Sequence, residues 1–264
     1  MRLKNLRASE PFDALAARIK DLAGTREVIY APNGGNWGDG LIHCGTGQFL
    51  AAHGVDHVTR YRPEIEALVK EGGAALEPLR SSVLIAGGGG SWSRNYFRSR
   101  GFVGSVAPYF HHVVVMPTSF DRGPVAPENV TYIRRDLKES AESIPASIFC
   151  HDMAFFIDLE IEAPDAAGSD GSFFRGDRER DPNATRGKGN VDLSRRGNDR
   201  SDVTPFFATI AGYERVFTDR LHVAVAASML GRHCHLHAGN YWKNGSVYTS
   251  SIAPNYDSCT WVEW

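Results

Sequence analysis

Residues 218–222 (Thr-Asp-Arg-Leu-His) place a permanent cation close to a titratable imidazole. They follow an apolar run typical of a strand, and they precede residues 223–230, an apolar run typical of a helix that ends at Gly231. The Thr or the Asp of this segment is a suitable N-cap, and the N–H groups and macrodipole of a helix N-terminus favour an anion. Arg220 and His222 therefore indicate a carboxylate or phosphate site. The alternative is an ordinary capped helix with Arg and His on its surface.

The apolar side chains of this predicted helix have helical spacing. Leu221, Ala224, Val225, Ser228 and Met229 fall on one face, so we expect the helix to pack by that side. The cation and the imidazole flank this stripe in the first turn. The neighbouring elements must then hold that turn in place.

The first 160 residues alternate apolar strand-like runs with helix-like runs. Such alternation is typical of an α/β fold, in which helices flank a parallel sheet on both faces. Strands are predicted at residues 27–31, 57–60, 83–86, 113–116, 130–133 and 147–150, and helices at residues 41–52, 63–70 and 137–143.

Loops rich in glycine and polar residues begin where several of these strands end. They cover residues 33–40, 87–92, 117–119, 134–136 and 151–152. Ligands of open parallel sheets bind beyond the carboxyl ends of the strands. We therefore expect these loops to gather at one edge of the sheet.

A linker is predicted at residues 163–169, which gives two domains, 1–162 and a smaller 170–264. The second domain is expected to contain strands at residues 172–175, 214–217 and 233–237, with a helix at 205–211 before the one described above. Between its first two elements, residues 177–202 carry mixed charges, which favour a mobile solvated loop. A flap that binds an acceptor substrate is the alternative.

Three other features invite a chemical interpretation. The four glycines at 87–90 follow a strand as phosphate-binding loops do, but they match neither dinucleotide-binding nor P-loop spacing, and a tight turn explains them equally well. Asp39 begins a predicted helix, so a capping role is favoured over that of a general base. His233, His235 and His237 would share one face of a strand, but without nearby Asp or Glu we expect packed or exposed imidazoles rather than a metal site.

Composition excludes several classes of protein. A hydrophobic content of 42% and a charged content of 23% are typical of a globular protein. The net charge of −2 gives no basis for nucleic-acid binding. We see neither a signal peptide nor an apolar run that could span a bilayer, and four widely spaced cysteines indicate free thiols. A cytoplasmic protein is expected.

Taken in order, the motifs of this chain resemble the polysaccharide pyruvyl transferase family. The matching segments cover most of the chain, from about residue 28 to residue 243: Gly-Asn-Trp-Gly-Asp at 35–39, Leu-Ile-Ala-Gly-Gly-Gly at 84–89, Val-Met-Pro-Thr-Ser at 115–119, Arg-Asp at 135–136, His-Asp-Met-Ala-Phe at 151–155, Phe-Arg-Gly-Asp-Arg-Glu at 174–179, Thr-Asp-Arg-Leu-His at 218–222, and Tyr-Trp-Lys-Asn at 241–244. Each motif alone is loose, apart from Thr-Asp-Arg-Leu-His with a Lys 21 positions after its His, and the order of the motifs makes the match specific.

The resemblance implies an α/β fold of two Rossmann-like lobes in a GT-B-like arrangement, with the active site in the cleft between the lobes. Members of the family transfer pyruvate from phosphoenolpyruvate (PEP) to sugar hydroxyls of exopolysaccharides or cell-surface glycans, commonly as a ketal. The implied partners are PEP and an oligosaccharide or lipid-linked glycan acceptor. A lipid-linked acceptor would bring the protein to the inner face of the membrane. No cofactor or metal is implied.

The resemblance also implies roles for individual residues. The PEP-binding residues map onto Arg135, Arg220, Leu221 and Lys243, with Arg134 as a close rival of Arg135. Gly88, Gly89 and Asn36 are further candidates. Arg binds carboxylate and phosphate bidentately, and Lys adds a point charge, so such a set suits the multiply charged PEP.

Proton transfer completes the predicted site. We expect His222 to be the acid that protonates the PEP methylene or assists phosphate departure, because an imidazole near neutrality can exchange protons. Asp39 is the candidate base for the acceptor hydroxyl. The alternatives to this function are a GT-B glycosyltransferase that uses a nucleotide sugar and a non-catalytic glycan-binding relative. The sequence does not identify the acceptor sugar.

Overall fold

A computed structural model describes residues 1–162 and 166–264 of the chain, so that part of the predicted linker, residues 163–165, lies outside the described residues. The chain forms two compact units. The C-terminal unit contains Met1–Arg7, Gly34–Gly45 and Met153–Trp264, and the N-terminal unit contains Ala8–Asn33 and Thr46–Asp152.

These units differ from the predicted domains 1–162 and 170–264, because two early segments belong with the C-terminal half. The N-terminal tail is bound there by backbone hydrogen bonds: Lys4 N–H donates to Met229 O, and Leu6 N–H donates to Phe155 O. Residues 34–45 are bound there as well, since the indole N–H of Trp37 donates to the carbonyl of Asp202. Such long-range bonds leave no trace in local sequence.

The N-terminal unit is built on a parallel sheet. Its strands are β1 (Val28–Ala31), β2 (Val58–Thr59), β3 (Val83–Ala86), β4 (Gly89–Trp92), β5 (His112–Phe120), β6 (Val130–Arg134) and β7 (Ile148–Phe149). They follow the order β2-β1-β3-β5-β6-β7, and β4 pairs with the second half of β5. Every strand pair in this sheet is parallel, as predicted from the strand–helix alternation.

Helices accompany this sheet along the chain. They are α1 (Glu10–Ala23), α2 (Trp37–Ala52), α3 (Arg62–Glu71), α4 (Glu77–Arg80), α5 (Arg98–Val106) and α6 (Glu139–Ser143). Helix α1 shows why such segments fold: Phe12, Leu15, Ala16 and Ile19 recur at helical spacing and are buried. The glycine after it, Gly24, ends the helix with a positive φ of 53°.

The C-terminal unit has a smaller parallel sheet. Its strands, in the order β11-β10-β9-β8, are β8 (Asp170–Ser172), β9 (Arg215–Thr218), β10 (His233–His237) and β11 (Cys259–Val262). Its helices are α7 (Thr204–Ala211), α8 (Leu221–Met229) and α9 (Lys243–Val247), and residues 248–252 continue α9 as a π-helical turn. No helix in the described part of the chain is long and apolar enough to cross a bilayer.

Sequence patterns located most of these elements but missed several. Strands β3 and β10 have the predicted bounds, and α7 begins one residue early. Helix α2 begins four residues before the predicted start, and the predicted loop at 117–119 is part of β5. Helices α1, α4, α5 and α9 and strands β4 and β11 were not predicted.

Helix α8 packs differently from the one-sided helix that was expected. Apart from His222, all its residues are buried, so the helix is surrounded by protein rather than packed by one stripe. A helix that is apolar on every side is typical of an interior position. Its predicted end is confirmed, because Gly231 follows it with a φ of 65° and donates its N–H to Ser228 O.

Candidate functional site

The turn before α8 is fixed by buried hydrogen bonds. Thr218 donates its hydroxyl to Phe173 O at 2.8 Å and accepts the N–H of Arg220 at 2.9 Å. Asp219 accepts the N–H of Arg175 at 2.7 Å, and its carbonyl accepts the side-chain amide of Asn244 at 2.7 Å. These bonds join the residues that lead into the helix to two other segments of the same unit, residues 173–175 and Asn244.

The N-cap of α8 is Arg220 itself, so the expectation that Thr218 or Asp219 caps the helix is wrong. The backbone of Arg220 is extended, and its carbonyl accepts the N–H groups of Val223 and Ala224 at 3.1 Å. Thr218 and Asp219 instead fix the preceding turn, because their side-chain oxygens accept N–H groups outside the helix. Arg220 and Leu221 are buried, and His222 is half-buried.

Helix α2 begins with a reciprocal cap. The side-chain carbonyl of Asn36 accepts the N–H of Gly38 at 2.8 Å, and the carboxylate of Asp39 accepts the N–H of Asn36 at 2.9 Å. This is the arrangement of a capping box, with Asn36 as the cap and Asp39 as its partner in the first turn. The predicted capping role of Asp39 is therefore present in this reciprocal form, and its role as a base stays a prediction.

The imidazole of His222 lies against the start of α2. A methyl group built on Gly38 would be 2.4 Å from Nδ1 of His222 and 3.0 Å from Oδ1 of Asn36. Only glycine leaves that space for the ring. The C-terminal unit therefore contains both the Arg220–His222 pair and the Asn36–Asp39 cap, which the sequence proposed separately, and it places His222 next to Asn36.

Arg220 is engaged by two carboxylates. Asp192 binds it bidentately, at 2.9 Å from Nε and 2.6 Å from Nη2, and Asp177 lies 2.7 Å from Nη1. The guanidinium side chain is 5% exposed. The geometry is that by which arginine binds a carboxylate or phosphate, and here both partners are side chains of the chain itself.

A second ion-pair group adjoins the first through Asp177, which also lies 2.9 Å from Nε of Arg175. Glu179 forms ion pairs with Arg175 at 2.5 Å and with Nζ of Lys243 at 2.6 Å. The hydroxyl of Tyr241 donates to Glu179 at 2.8 Å. Lys243 thus balances a buried carboxylate, in addition to any role towards a ligand.

Burial and charge act against each other in these groups. Burial alone would raise the pKa of Glu179, but Lys243 and Arg175 lower it to about 2. Burial alone would lower the pKa of Arg175, yet Glu179 and Asp177 raise it. Asp219 is different: burial raises its pKa, although it accepts the N–H of Arg175.

Residues 177–202 are more ordered than the mobile solvated loop that their charges predicted. The side chain of Asn190 accepts the N–H of Phe174 at 2.7 Å and donates to Phe174 O at 2.9 Å. Val191 N–H donates to Ser172 O at 3.0 Å. The bond from Val191 ties the segment to the edge strand β8, which offers unpaired backbone groups, and the bonds of Asn190 tie it to Phe174 just after that strand.

The remaining candidates belong to the N-terminal unit. Arg135 is 1% exposed; its Nε donates to the hydroxyl of Ser119 at 2.9 Å, and its Nη1 lies 2.5 Å from Asp152. Arg134 is half-buried and donates to the carbonyl of Ser147. Arg135 and Arg134 stay predicted PEP ligands, and in this structure both are bound by protein groups.

The glycines after β3 allow strands to approach closely. A methyl group on Gly88 would be 2.3 Å from Pro117 O, and one on Gly87 would be 2.6 Å from Asn33 N. Gly89 has a φ of 120°, which side chains disfavour. Packing alone thus explains these glycines. The expected gathering of loops is confirmed within this unit, since Asn33 donates to Gly88 O and Arg135 reaches Ser119 and Asp152.

Two of the three histidines of β10 pack against aromatic rings, and His233 is exposed, in agreement with the expectation of packed or exposed imidazoles. His235 stacks on Phe217 with ring centroids 4.7 Å apart, and His237 contacts Phe174 and Trp264. Among the described residues, no group of three or more His, Cys, Asp or Glu side chains is arranged to hold a metal ion.

Sequence reasoning gave no role to four charged residues of the site: Arg175, Glu179, Asp177 and Asp192. The signal for the first two was a pair four positions apart, of opposite charge, next to a strand. Asp192 lies in a segment with many charges, and nothing local distinguishes it from its neighbours.

Comparison with known proteins shows the fold. No protein-family model matches this chain, and no curated protein matches it either. A solved structure, described as a functional uncharacterized protein from Klebsiella pneumoniae subsp. pneumoniae NTUH-K2044, superposes with a TM-score of 0.77. The two are 21% identical over 96% of this chain and 99% of that chain. At this identity the similarity shows the fold alone, an α/β fold with parallel sheets flanked by helices.

Proposed function

We propose that this protein transfers pyruvate from PEP to hydroxyls of a sugar in a bacterial exopolysaccharide or cell-surface glycan precursor. One observation carries the proposal. Within one unit, the N-terminus of α8 supplies two groups: the buried guanidinium of Arg220, which has carboxylate ligands, and the imidazole of His222, which packs on the start of α2. This set provides the two functions that PEP chemistry needs, anion binding and proton transfer.

Arg220 is the proposed anchor of PEP. Its carboxylate partners show that the guanidinium is oriented for bidentate binding, and the start of α8 adds N–H groups and a favourable dipole. Leu221 is buried, so its contribution would come from its backbone N–H. Lys243 adds positive charge from the adjoining ion-pair group.

The reaction requires one proton to be gained and another to be lost. His222 would protonate the PEP methylene carbon, while the acceptor hydroxyl attacks the central carbon and loses its proton to Asp39. A second hydroxyl then displaces phosphate and closes the ketal, and the proton that this second hydroxyl loses leaves on the phosphate. Atoms balance, because the product keeps the three carbons of pyruvate and inorganic phosphate leaves with the original bridging oxygen.

Further parts of the proposal concern the rest of the chain. We propose that donor binding is assisted by Arg135, or by its rival Arg134, and by Gly88, Gly89 and Asn36. The proposed fold is GT-B-like, with two Rossmann-like lobes. The acceptor is an oligosaccharide or a lipid-linked glycan, and a lipid-linked acceptor would bring this cytoplasmic enzyme to the inner face of the membrane. The chemistry requires neither a cofactor nor a metal, since cationic side chains stabilise the charge.

The test is incubation with PEP and a panel of oligosaccharide and lipid-linked glycan acceptors, read by mass spectrometry for a pyruvyl ketal and by phosphate release. We expect Arg220→Ala to weaken PEP binding and His222→Ala to reduce turnover by about 10²- to 10⁴-fold, the usual contribution of a general acid. Arg200→Ala and His233→Ala change exposed residues of the same types and serve as matched controls.

Other outcomes point to other functions. Thermal stabilisation by a nucleoside diphosphate but not by PEP would favour a glycosyltransferase that uses a nucleotide sugar. Glycan binding without phosphate release, over the whole panel, would favour a non-catalytic relative. Near-wild-type turnover of the His222 variant would refute its role as the acid.

A further inference from the structure

We propose that Asp192 is an internal substitute for the anionic ligand of Arg220, and that the ligand must displace it and release part of the cover segment, which comprises residues 176–202. The identification of PEP as that ligand rests on the proposed function. The anion site itself rests on contacts within the C-terminal unit. Asp192 would thus inhibit the protein until an anion of higher charge arrives.

The contact between Asp192 and Arg220 has the form of ligand binding. Both carboxylate oxygens are used, Oδ1 by Nε at 2.9 Å and Oδ2 by Nη2 at 2.6 Å. Since the Arg220 side chain is 5% exposed and Asp177 already lies on Nη1, this bidentate edge is where an external carboxylate or phosphate would bind.

The surroundings of Asp192 are cationic beyond Arg220. The N–H of Gly176 donates to Oδ2 of Asp192 at 2.8 Å. A methyl group built on Gly176 would be 3.4 Å from Nη1 of Arg186, 3.5 Å from Oδ2 of Asp192 and 3.7 Å from Nη1 of Arg195. The guanidinium groups of Arg186 and Arg195 therefore lie near the same carboxylate.

This arrangement favours a ligand with more charge than Asp192. Neither Arg186 nor Arg195 forms an ion pair within 4 Å in the part of the chain that the structure describes. A phosphate in place of the Asp192 carboxylate would meet one buried guanidinium, two further guanidiniums nearby and the N–H of Gly176. A single carboxylate uses only part of this binding capacity.

The cover segment is attached in a way that permits release. Of residues 181–190, only Ala184 is buried, and the contacts of the segment with β8 are hydrogen bonds through Asn190 and Val191. Segments with few buried apolar contacts open at lower free energy than the core. By contrast, Glu179 and Leu193 are 2% and 1% exposed, and Glu179 forms ion pairs with two cations, so these two residues stay in place as the anchors of the cover segment.

The experiment measures anion affinity by calorimetry, with PEP and with inorganic phosphate as separate probes. We expect Asp192→Asn to bind either anion at least tenfold more tightly than the wild type, because the competing carboxylate is gone. Asp181→Asn removes the same charge from the same segment without touching Arg220, and it should bind as the wild type does. Equal or weaker binding by Asp192→Asn overturns the proposal.

A second measurement uses the unaltered protein and so does not depend on the folding of a variant. The cover segment contains several arginines, so trypsin can cut it when it is released. Saturating phosphate or PEP should accelerate cleavage within residues 176–202, whereas a ligand that binds without displacement should protect the segment. Slower cleavage in the presence of the anion overturns the proposal.

The two proposals can fail separately. Tenfold tighter phosphate binding by Asp192→Asn, with no pyruvyl transfer to any acceptor, supports the displacement of Asp192 and refutes the PEP transferase. Pyruvyl transfer with unchanged anion affinity in Asp192→Asn supports the transferase and refutes the displacement.

Discussion

The packing of His222 on Gly38 leads to a quantitative prediction for Gly38→Ala. The added methyl group would be 2.4 Å from Nδ1 of His222, whereas ordinary van der Waals contact begins at 3.4 Å, so the ring must move by about 1 Å. Overpacking of this kind typically costs about 1–3 kcal/mol. A displacement of about 1 Å in a catalytic group can cost about 10²-fold in rate.

Gly47→Ala is the matched control. It lies in the same helix, α2, and a methyl group there would meet nothing within 4 Å. Replacing glycine by alanine inside a helix gains about 0.5–1 kcal/mol when there is space. Comparing the two variants therefore cancels most of the helix-propensity effect and isolates the contact with His222.

The assay combines urea unfolding with turnover of PEP. We expect Gly47→Ala to be at least as stable as the wild type with unchanged turnover. Gly38→Ala should be less stable than Gly47→Ala by about 1–3 kcal/mol, and its turnover should fall by about 10²-fold. If Gly38→Ala matched Gly47→Ala in both measurements, the packing argument and the placement of His222 would be refuted.

Three further predictions concern burial and protonation. Glu179→Gln should lose about 3–5 kcal/mol of unfolding free energy, because it removes the carboxylate that balances the buried cations Arg175 and Lys243. The folded-state pKa of Glu179 is about 2 and the usual pKa of this side chain is 4.5, so the wild type should also lose this stability as pH falls from 4.5 towards 2. Urea midpoints that are the same for both proteins would contradict this. Burial lowers the pKa of His151 to about 4 from 6.5, so the free energy of unfolding should fall by up to about 3 kcal/mol as pH decreases through that range. His151→Phe should flatten this part of the plot of unfolding free energy, measured with urea, against pH. An equally steep plot for the variant would contradict the prediction. Half-buried Cys44 should react with a thiol reagent before the three buried cysteines, and burial also raises the pKa of one of these, Cys150. Cys44→Ser should therefore abolish the fast phase of the reaction. A fast phase that survives the substitution would show that a buried thiol is accessible.

The sequence predicted features that depend on neighbouring residues more accurately than features that depend on residues far apart in the chain. Strand β3 was located correctly because four consecutive apolar residues, bounded by Ser82 and by glycines, suffice to indicate a buried strand. Helix α8 was located, but its one-sided packing was wrong, because helical spacing cannot show that protein surrounds the helix on all sides. Strand β4 was missed, since its glycines read as a loop until β5 supplies the pairing partner.

The candidate site divides in the same way. Spacing identified Arg220 and His222 as neighbours at a helix N-terminus, which is a local property. It did not show the bidentate contact with Asp192 or the ion pairs of Glu179, since these join residues that are far apart in sequence. The mixed charges of residues 177–202 predicted solvation because the sequence gives no information about their partners.

By itself, the sequence determined the alternation of strands and helices, the parallel sheets and the cation–imidazole pair, because each depends on the types and spacing of nearby residues. The tertiary structure alone decided that residues 34–45 join the C-terminal unit and that His222 packs on Gly38. It also decided that the carboxylate of Asp192 lies on Arg220. Such contacts depend on where distant segments of the chain meet, and that is set by the packing of the whole fold rather than by any local pattern.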